Sequence, residues 1–252
     1  DIPLSLIAVR LNSTLSSFSM IAIPLFICAA NIMAETNITK RLIDWCMSIV
    51  GWIRGGLAQV NVLLSIIFAG ISGAAMSDVA SIGQWEIPAM VNSGYKPAYA
   101  AALTSASSVV SPIIPPSICI IVAGIIAEES IAKLLIAGVL PGLVMGVGMM
   151  IVAYIIAIKE NHPKEADCFQ FKEFLVKTRD AAWDLVLPIL IIGGIRFGWF
   201  TPSEGAGMAL VYALLLGGVI HRELSWAKIV RAFKNGLTLT GAVLLMVGIA
   251  SS

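Results

Sequence analysis

Gly70-Ile71-Ser72-Gly73-Ala74-Ala75-Met76-Ser77-Asp78 interrupts an otherwise apolar stretch, and the reading of this interruption decides the fold. A second one follows: Thr104-Ser105-Ala106-Ser107-Ser108, then Ser111-Pro112, then Pro115-Pro116-Ser117. In hydrocarbon an unpaired backbone N–H or C=O costs several kcal/mol, so such breaks survive only where protein or a watery cavity covers them. Secondary transporters use interrupted helices to present carbonyls, hydroxyls and helix ends to ions and solutes near the bilayer midplane. The two breaks therefore point to a solute transporter.

The surrounding composition agrees. Of 252 residues, 58% are hydrophobic and 12% charged, about half the charge of an ordinary soluble domain. Repeated apolar runs of roughly 18 residues or more indicate membrane spans. A net charge of +1 gives no nucleic-acid partner, and the alternating strands of a β-barrel are missing. The fold class is an all-α polytopic membrane protein whose partner surface is the lipid bilayer. Asp1 is no initiator methionine and Ser252 closes an apolar run, so the sequence reads as an internal piece of a longer protein. Cys28, Cys46, Cys119 and Cys168 show no CxxC or Cys/His spacing, which gives no metal centre.

Outward from the first break, the apolar arms Leu57 to Ala69 and Val79 to Val91 each hold about 13 residues. That is roughly 20 Å of helix, short of a hydrocarbon core of about 30 Å. The spacing predicts a re-entrant helical hairpin over 56–92, followed by a broken transmembrane helix over 98–128. Together they form a unit, 56–128. Ahead of it, 1–55 holds a span from about Ser13 to Met33 and an amphipathic interfacial helix. Behind it, 129–183 is a span plus a mixed-charge loop over 159–183. Residues 184–252 form an apolar helix pair, an amphipathic segment and the start of a further span. Lys40, Arg41, Arg54 and Lys96 share one face with the basic residues of the 159–183 loop, which positive-inside bias places in the cytoplasm.

Ser72, Gly73, Ser77 and Asp78 sit where the hairpin turns. A helix N-terminus after the break offers free N–H groups to a carboxylate. Equally, Ser77 or Asp78 caps that helix. Thr104, Ser105, Ser107 and Ser108 either gather neutral oxygens for a hard cation such as Na⁺ or pack helices closely with hydroxyls bonded to their own i−4 carbonyls. Pro112, Pro115 and Pro116 remove donors and free carbonyls beside them. Glu204 after Thr201-Pro202-Ser203 reads as a first-turn acid beside a cap. Glu86 is either a packing contact of the hairpin or a buried proton site. Trp45, Trp52, Trp183, Trp199 and Trp226 fit interfacial anchoring.

Three motifs in order carry a family resemblance. They are Gly55-Gly56-Leu57-Ala58-Gln59-Val60-Asn61-Val62 with Phe68 to Gly73; Ser105 to Ser108 with Pro112 to Ser117; and Gly198-Trp199-Phe200-Thr201-Pro202-Ser203-Glu204. With them the chain resembles the large membrane subunit of tripartite ATP-independent periplasmic (TRAP) transporters, the DctM-like permeases, over its first half to two-thirds. Gly205, Gly207 and Arg196 depart from the usual pattern of the third motif. The resemblance implies an elevator-type importer of the bacterial inner membrane, with no cofactor and with Na⁺ as coupling ion. It further implies a small membrane subunit, separate or fused, a periplasmic substrate-binding protein, and an organic acid such as a C4-dicarboxylate or sialic acid as cargo. By position it implies ion binding at Ser72, Gly73, Thr104, Ser107, Ser108 and Pro115. Cargo binding falls at Ser72, Gly73, Ala74, Ser77 and Ser105. A proton-coupled carrier using Asp78, Glu86 or Glu204 is the nearer alternative. An intramembrane serine protease around Gly70-Ile71-Ser72-Gly73 is the remote one. It needs a general base, and His162 and His221 both fall outside the apolar runs, so no enzyme is expected.

Overall fold

The computed structural model describes residues 18–165 and 168–250, without the side chains of Ser77, Ile249 and Ala250. Residues 13–17 of the expected first span lie outside the described residues. Every regular element among the described residues is helical. A 3-10 turn, Phe18–Ile21, leads into α1 (Ala22–Ala34), followed by α2 (Ile38–Val50), α3 (Gly56–Ser72), α4 (Ala75–Asn92) and α5 (Pro97–Ser107). After a 3-10 turn at Ser108–Val110 come α6 (Ile118–Ile126), α7 (Ile131–Lys159) and α8 (Phe171–Arg196). Last come α9 (Pro202–Leu215), which passes into a π turn at Leu216–Ile220, and α10 (Trp226–Ala250). The protein is an all-α polytopic membrane protein. α7, α9 with its π turn, and α10 are each long and apolar enough to cross a bilayer.

Burial explains which helices sit inside. α1 is apolar on nearly every face, and Ala22, Ile23, Ile27 and Ile32 are all buried where it packs on α9 and α10. On α7 the large side chains Leu140, Val144, Val147, Ile151 and Ile155 point outward, as a lipid-facing surface requires. Its buried face instead carries Gly138, Gly142 and Gly146. There a Cβ would lie 2.3 Å from the Ile113 carbonyl at Gly138 or 2.4 Å from Ile66 Cδ1 at Gly146. This stripe of small residues lets α7 lie directly against α3 and the second break.

α2 has the amphipathic pattern its sequence promises. Ile38, Leu42, Cys46 and Val50, four residues apart, are all buried. α2 bends 75° away from α1. Its polar side, however, is clamped rather than free. Arg41 Nε and Nη1 reach Asp184 at 2.9 Å and Glu223 at 2.8 Å, Lys177 reaches Asp44 at 3.1 Å, and Trp45 Nε1 donates to Thr178 Oγ1 at 3.0 Å.

Those partners expose a correction. Among the described residues the segment 159–183 is irregular only over 160–165 and 168–170; from Phe171 onward it is helix, and α8 runs on without a break into the apolar Leu185 to Ile195. Lys172, Glu173, Lys177 and Arg179 are good helix formers, and of them Lys177 holds Asp44 on α2. The remaining loop returns to the α2–α3 corner, where Gly55 N donates to Pro163 O at 3.0 Å and Glu165 N to Gly51 O at 3.2 Å. Likewise the amphipathic segment near Arg231 and the apolar run from Gly236 are one continuous helix, α10, rather than two elements.

α3 and α4 form the helical hairpin, with Leu57 near the start of one and Met90 near the end of the other in a single apolar cluster. Its arms are longer than the apolar pattern suggests, 17 and 18 residues. The break narrows to Gly73 and Ala74, because the Ser and Ala residues around them are small enough to stay helical.

Candidate functional site

The hairpin turns on two residues. Gly73 adopts the left-handed conformation, φ +60°, and Ala74 is extended. A Cβ on Gly73 would stand 1.8 Å from the Pro116 carbonyl oxygen and 3.2 Å from Ser117 Cα. Both the sign of φ and the closeness of the neighbouring backbone require glycine here. The tip of the first break is thus seated directly on the second.

The second break begins where α5 ends at Ser107, turns through Ser108–Val110, and passes the cis Pro115–Pro116 bond. Ser117 closes it by capping α6: its Oγ accepts from Ile120 N–H at 3.1 Å and donates to the Pro112 carbonyl at 2.5 Å.

Between the two breaks lies a buried acid. Asp78 Oδ1 accepts from the Ser72 hydroxyl and Oδ2 from the Ser111 hydroxyl. Asp78 and Ser111 are fully buried, and Ser72 retains 4% of its surface. Among the described residues no ion pair reaches Asp78. The capping assignment for Asp78 is corrected by this geometry. The N-cap of α4 is Ala74, with no side-chain cap bond, and the Asp78 carboxylate turns instead toward the neighbouring break.

A second polar layer lies alongside, between α3 and α5. Asn61 Nδ2 donates to Thr104 Oγ1 and Ser107 Oγ to Asn61 Oδ1, both at 2.9 Å, while Ser65 Oγ and Ser107 Oγ share a 2.9 Å bond. Thr104 also bonds back to the Ala100 carbonyl at 2.9 Å, and Ser108 to the Thr104 carbonyl at 2.8 Å. Of the expected ion and cargo residues, the structure therefore gathers Ser72, Gly73 and Ala74 at the tip, with Pro115 buried in the adjoining turn. It buries Thr104, Ser107 and Ser108 with their hydroxyls already engaged. Ser105 faces outward on the exposed side of α5, away from Thr104 and Ser107. Ser77 lies in the first turn of α4, its side chain outside the described residues.

Asn61, Ser65 and Ser111 are the partners that sequence reasoning passed over. Asn61 and Ser65 stand four apart on α3, a polar spacing in an apolar helix that marks one buried face. Ser111 stands beside Pro112 in the break itself, and only three-dimensional proximity ties it to Asp78. Glu204 behaves as read: Thr201 and Glu204 form a reciprocal capping box, with Thr201 N donating to Glu204 Oε2 at 2.7 Å. The groups at the two breaks are thus hard oxygens with one carboxylate. That set suits a small hard cation, and no cluster of three or more metal-ligating His, Cys, Asp or Glu side chains occurs among the described residues.

Comparison with known proteins adds the context. The family model for the tripartite ATP-independent periplasmic transporter, DctM component, matches residues 1–252. The chain is 36% identical over 244 residues to the sialic acid TRAP transporter permease protein SiaT of Haemophilus influenzae, covering 94% of this chain and 38% of that protein. It is 36% identical to the C4-dicarboxylate TRAP transporter large permease protein DctM of Pseudomonas aeruginosa, covering 98% and 57%. With the 2,3-diketo-L-gulonate TRAP transporter large permease protein YiaN of Escherichia coli it shares 37% identity over 93% of this chain and 55% of the relative. The chain spans about half the length of the curated relatives it matches.

Proposed function

The chain belongs to the DctM-component family of tripartite ATP-independent periplasmic transporters, and from that membership we propose that the full-length protein is a Na⁺-coupled importer of an organic acid in the bacterial inner membrane. The observation that carries the coupling is Asp78, a buried carboxylate between the Ser72 and Ser111 hydroxyls with no ion pair among the described residues. A charge removed from water needs a partner of opposite sign. Na⁺ supplies it, with Asp78, Ser72 and Ser111 as ligands and the carbonyls freed at the end of α3 beside them. Thr104 and Ser107, tied to Asn61 and Ser65, then hold α3 and α5 in register behind that site, while Ser108 bonds back to the Thr104 carbonyl.

Binding there ties the hairpin tip to the second break. It also neutralises Asp78, so that an anionic cargo can approach the N-terminus of α4, whose free N–H groups favour negative charge. The relatives are named for sialic acid, C4-dicarboxylate and 2,3-diketo-L-gulonate, and the shared chemistry of those names is a carboxylate. Segment 56–128 is the moving half-site, completed by the remainder of the longer chain. The partners are a small membrane subunit and a periplasmic substrate-binding protein, and the basic face around 160–170 is cytoplasmic.

The test is uptake by the full-length permease with its small subunit and binding protein in proteoliposomes. An inward Na⁺ gradient at equal pH on both sides is expected to drive accumulation. Accumulation driven by a proton gradient in the absence of Na⁺ overturns the reading.

A further inference from the structure

Among the described residues, Glu86 is the only acidic side chain buried with neither carboxyl oxygen in a hydrogen bond. It is 1% exposed and lies on α4 about 18 Å along the helix from the hairpin tip. Around α4, α3 and the Ser108–Val110 turn carry no titratable residue, and α5 carries only Tyr99. Glu165, beyond α7, acts on Glu86 electrostatically, and Glu86 in turn acts on the buried thiol of Cys46 on α2. No ion pair reaches it among the described residues.

Glu165 itself faces a cavity. It lines a polar cavity of about 460 Å³ with Ser48, Trp52, Cys168 and Glu173. Burial pushes its own carboxyl up from the usual range, against a hydrogen bond with Ser93 that opposes the rise. A carboxylate at Glu86 would be desolvated, unpaired and faced by a second negative charge, and all three conditions favour its neutral form.

We propose that Glu86 is a proton-binding site on the hairpin, with Glu165 as the charge that tunes it. In the loading step a hydronium ion gives up a proton, an O–H bond forms on the Glu86 carboxylate, and water is left. No other bond changes. Neutral Glu86 lets the foot of the hairpin shift against α2 without drawing a charge through an apolar contact. The inference is independent of which ion drives transport, since a proton held at Glu86 requires no proton gradient.

Infrared spectra of the full-length permease, titrated with acid and base alone in Na⁺-free buffer, read the protonated carboxyl directly. A protonated carboxyl band present in the wild type and missing in Glu86→Gln is the expected result. Glu165→Gln removes the facing charge and is expected to move the band's titration midpoint down by about one pH unit. Where Glu86→Gln yields no folded protein, the Glu165→Gln shift alone decides. Identical bands in wild type and Glu86→Gln, or a midpoint unmoved by Glu165→Gln, overturn the assignment. So does a Glu86 that stays ionised without Na⁺.

Discussion

Gly73→Ala tests the seating of one break on the other, because its cost divides into two parts that the structure separates. The first is backbone: a residue with a Cβ at φ +60° costs about 1 kcal/mol relative to glycine. The second is contact. The new methyl would lie 1.8 Å from the Pro116 carbonyl oxygen, so the tip and the second break must part by more than about 1 Å to reach ordinary van der Waals separation. The obstacle is backbone beside proline, which cannot swing away like a side chain, and overpacking of this kind costs about 1–3 kcal/mol. The total is about 2–4 kcal/mol. Gly94 supplies the control, since it also has positive φ, +93°, but nothing within 4 Å of its Cβ position. Gly94→Ala should therefore cost only the backbone part. Thermal unfolding of the full-length protein, measured beside Na⁺-driven uptake, distinguishes the two. Gly73→Ala should be the less stable variant and should lose transport, while Gly94→Ala transports normally. Equal stability of the two variants, with transport intact in Gly73→Ala, would falsify the seating argument.

Four further outcomes follow from the same geometry. Asp78→Asn keeps the shape but not the charge between Ser72 and Ser111; a charge-assisted contact worth about 1.5–3 kcal/mol converts to a roughly 10- to 150-fold rise in the Na⁺ concentration for half-maximal uptake. Arg41→Ala leaves Asp184, fully buried, with His221 at 3.1 Å as its remaining partner, and is expected to lower unfolding stability by about 1–3 kcal/mol; Arg41→Lys should not restore it, because one ammonium cannot reproduce a guanidinium bridging Asp184 and Glu223. Thr201→Ala removes the capping box of α9 and should cost about 0.5–2 kcal/mol of stability, with the Na⁺ dependence of uptake unchanged. Exposed Cys168 should resist a membrane-impermeant thiol reagent added to the periplasmic side and react in inverted vesicles, whereas labelling of intact cells at Cys168 reverses the proposed orientation.

How far the sequence could be read depended on whether a signal was local. The all-α class, the broken helix with its Pro112 to Pro116 turn, and the Thr201–Glu204 cap each follow from backbone chemistry within a few residues. Phe171 to Trp183 read locally as loop because charge within a segment looks like the end of an apolar span. Here Lys177 and Asp184 are held by Asp44 and Arg41 on α2, over 130 residues away in sequence, and no local pattern encodes that pairing. The site divides in the same way. Glycine at 73 announces a turn, but nothing near Asp78 in sequence announces Ser111, and a first-turn acid is by local rules a cap. The same blindness works in the opposite direction for Thr104 and Ser107, whose clustered hydroxyls look available until Asn61 and Ser65 are placed against them. A polar group in an apolar helix is fully described only by its partner. The acids that find hydroxyls or nothing where a cation would be expected, Asp78 at the tip and Glu86 at the foot, are therefore where function must enter from outside the chain, as an ion at one end of the hairpin and a proton at the other.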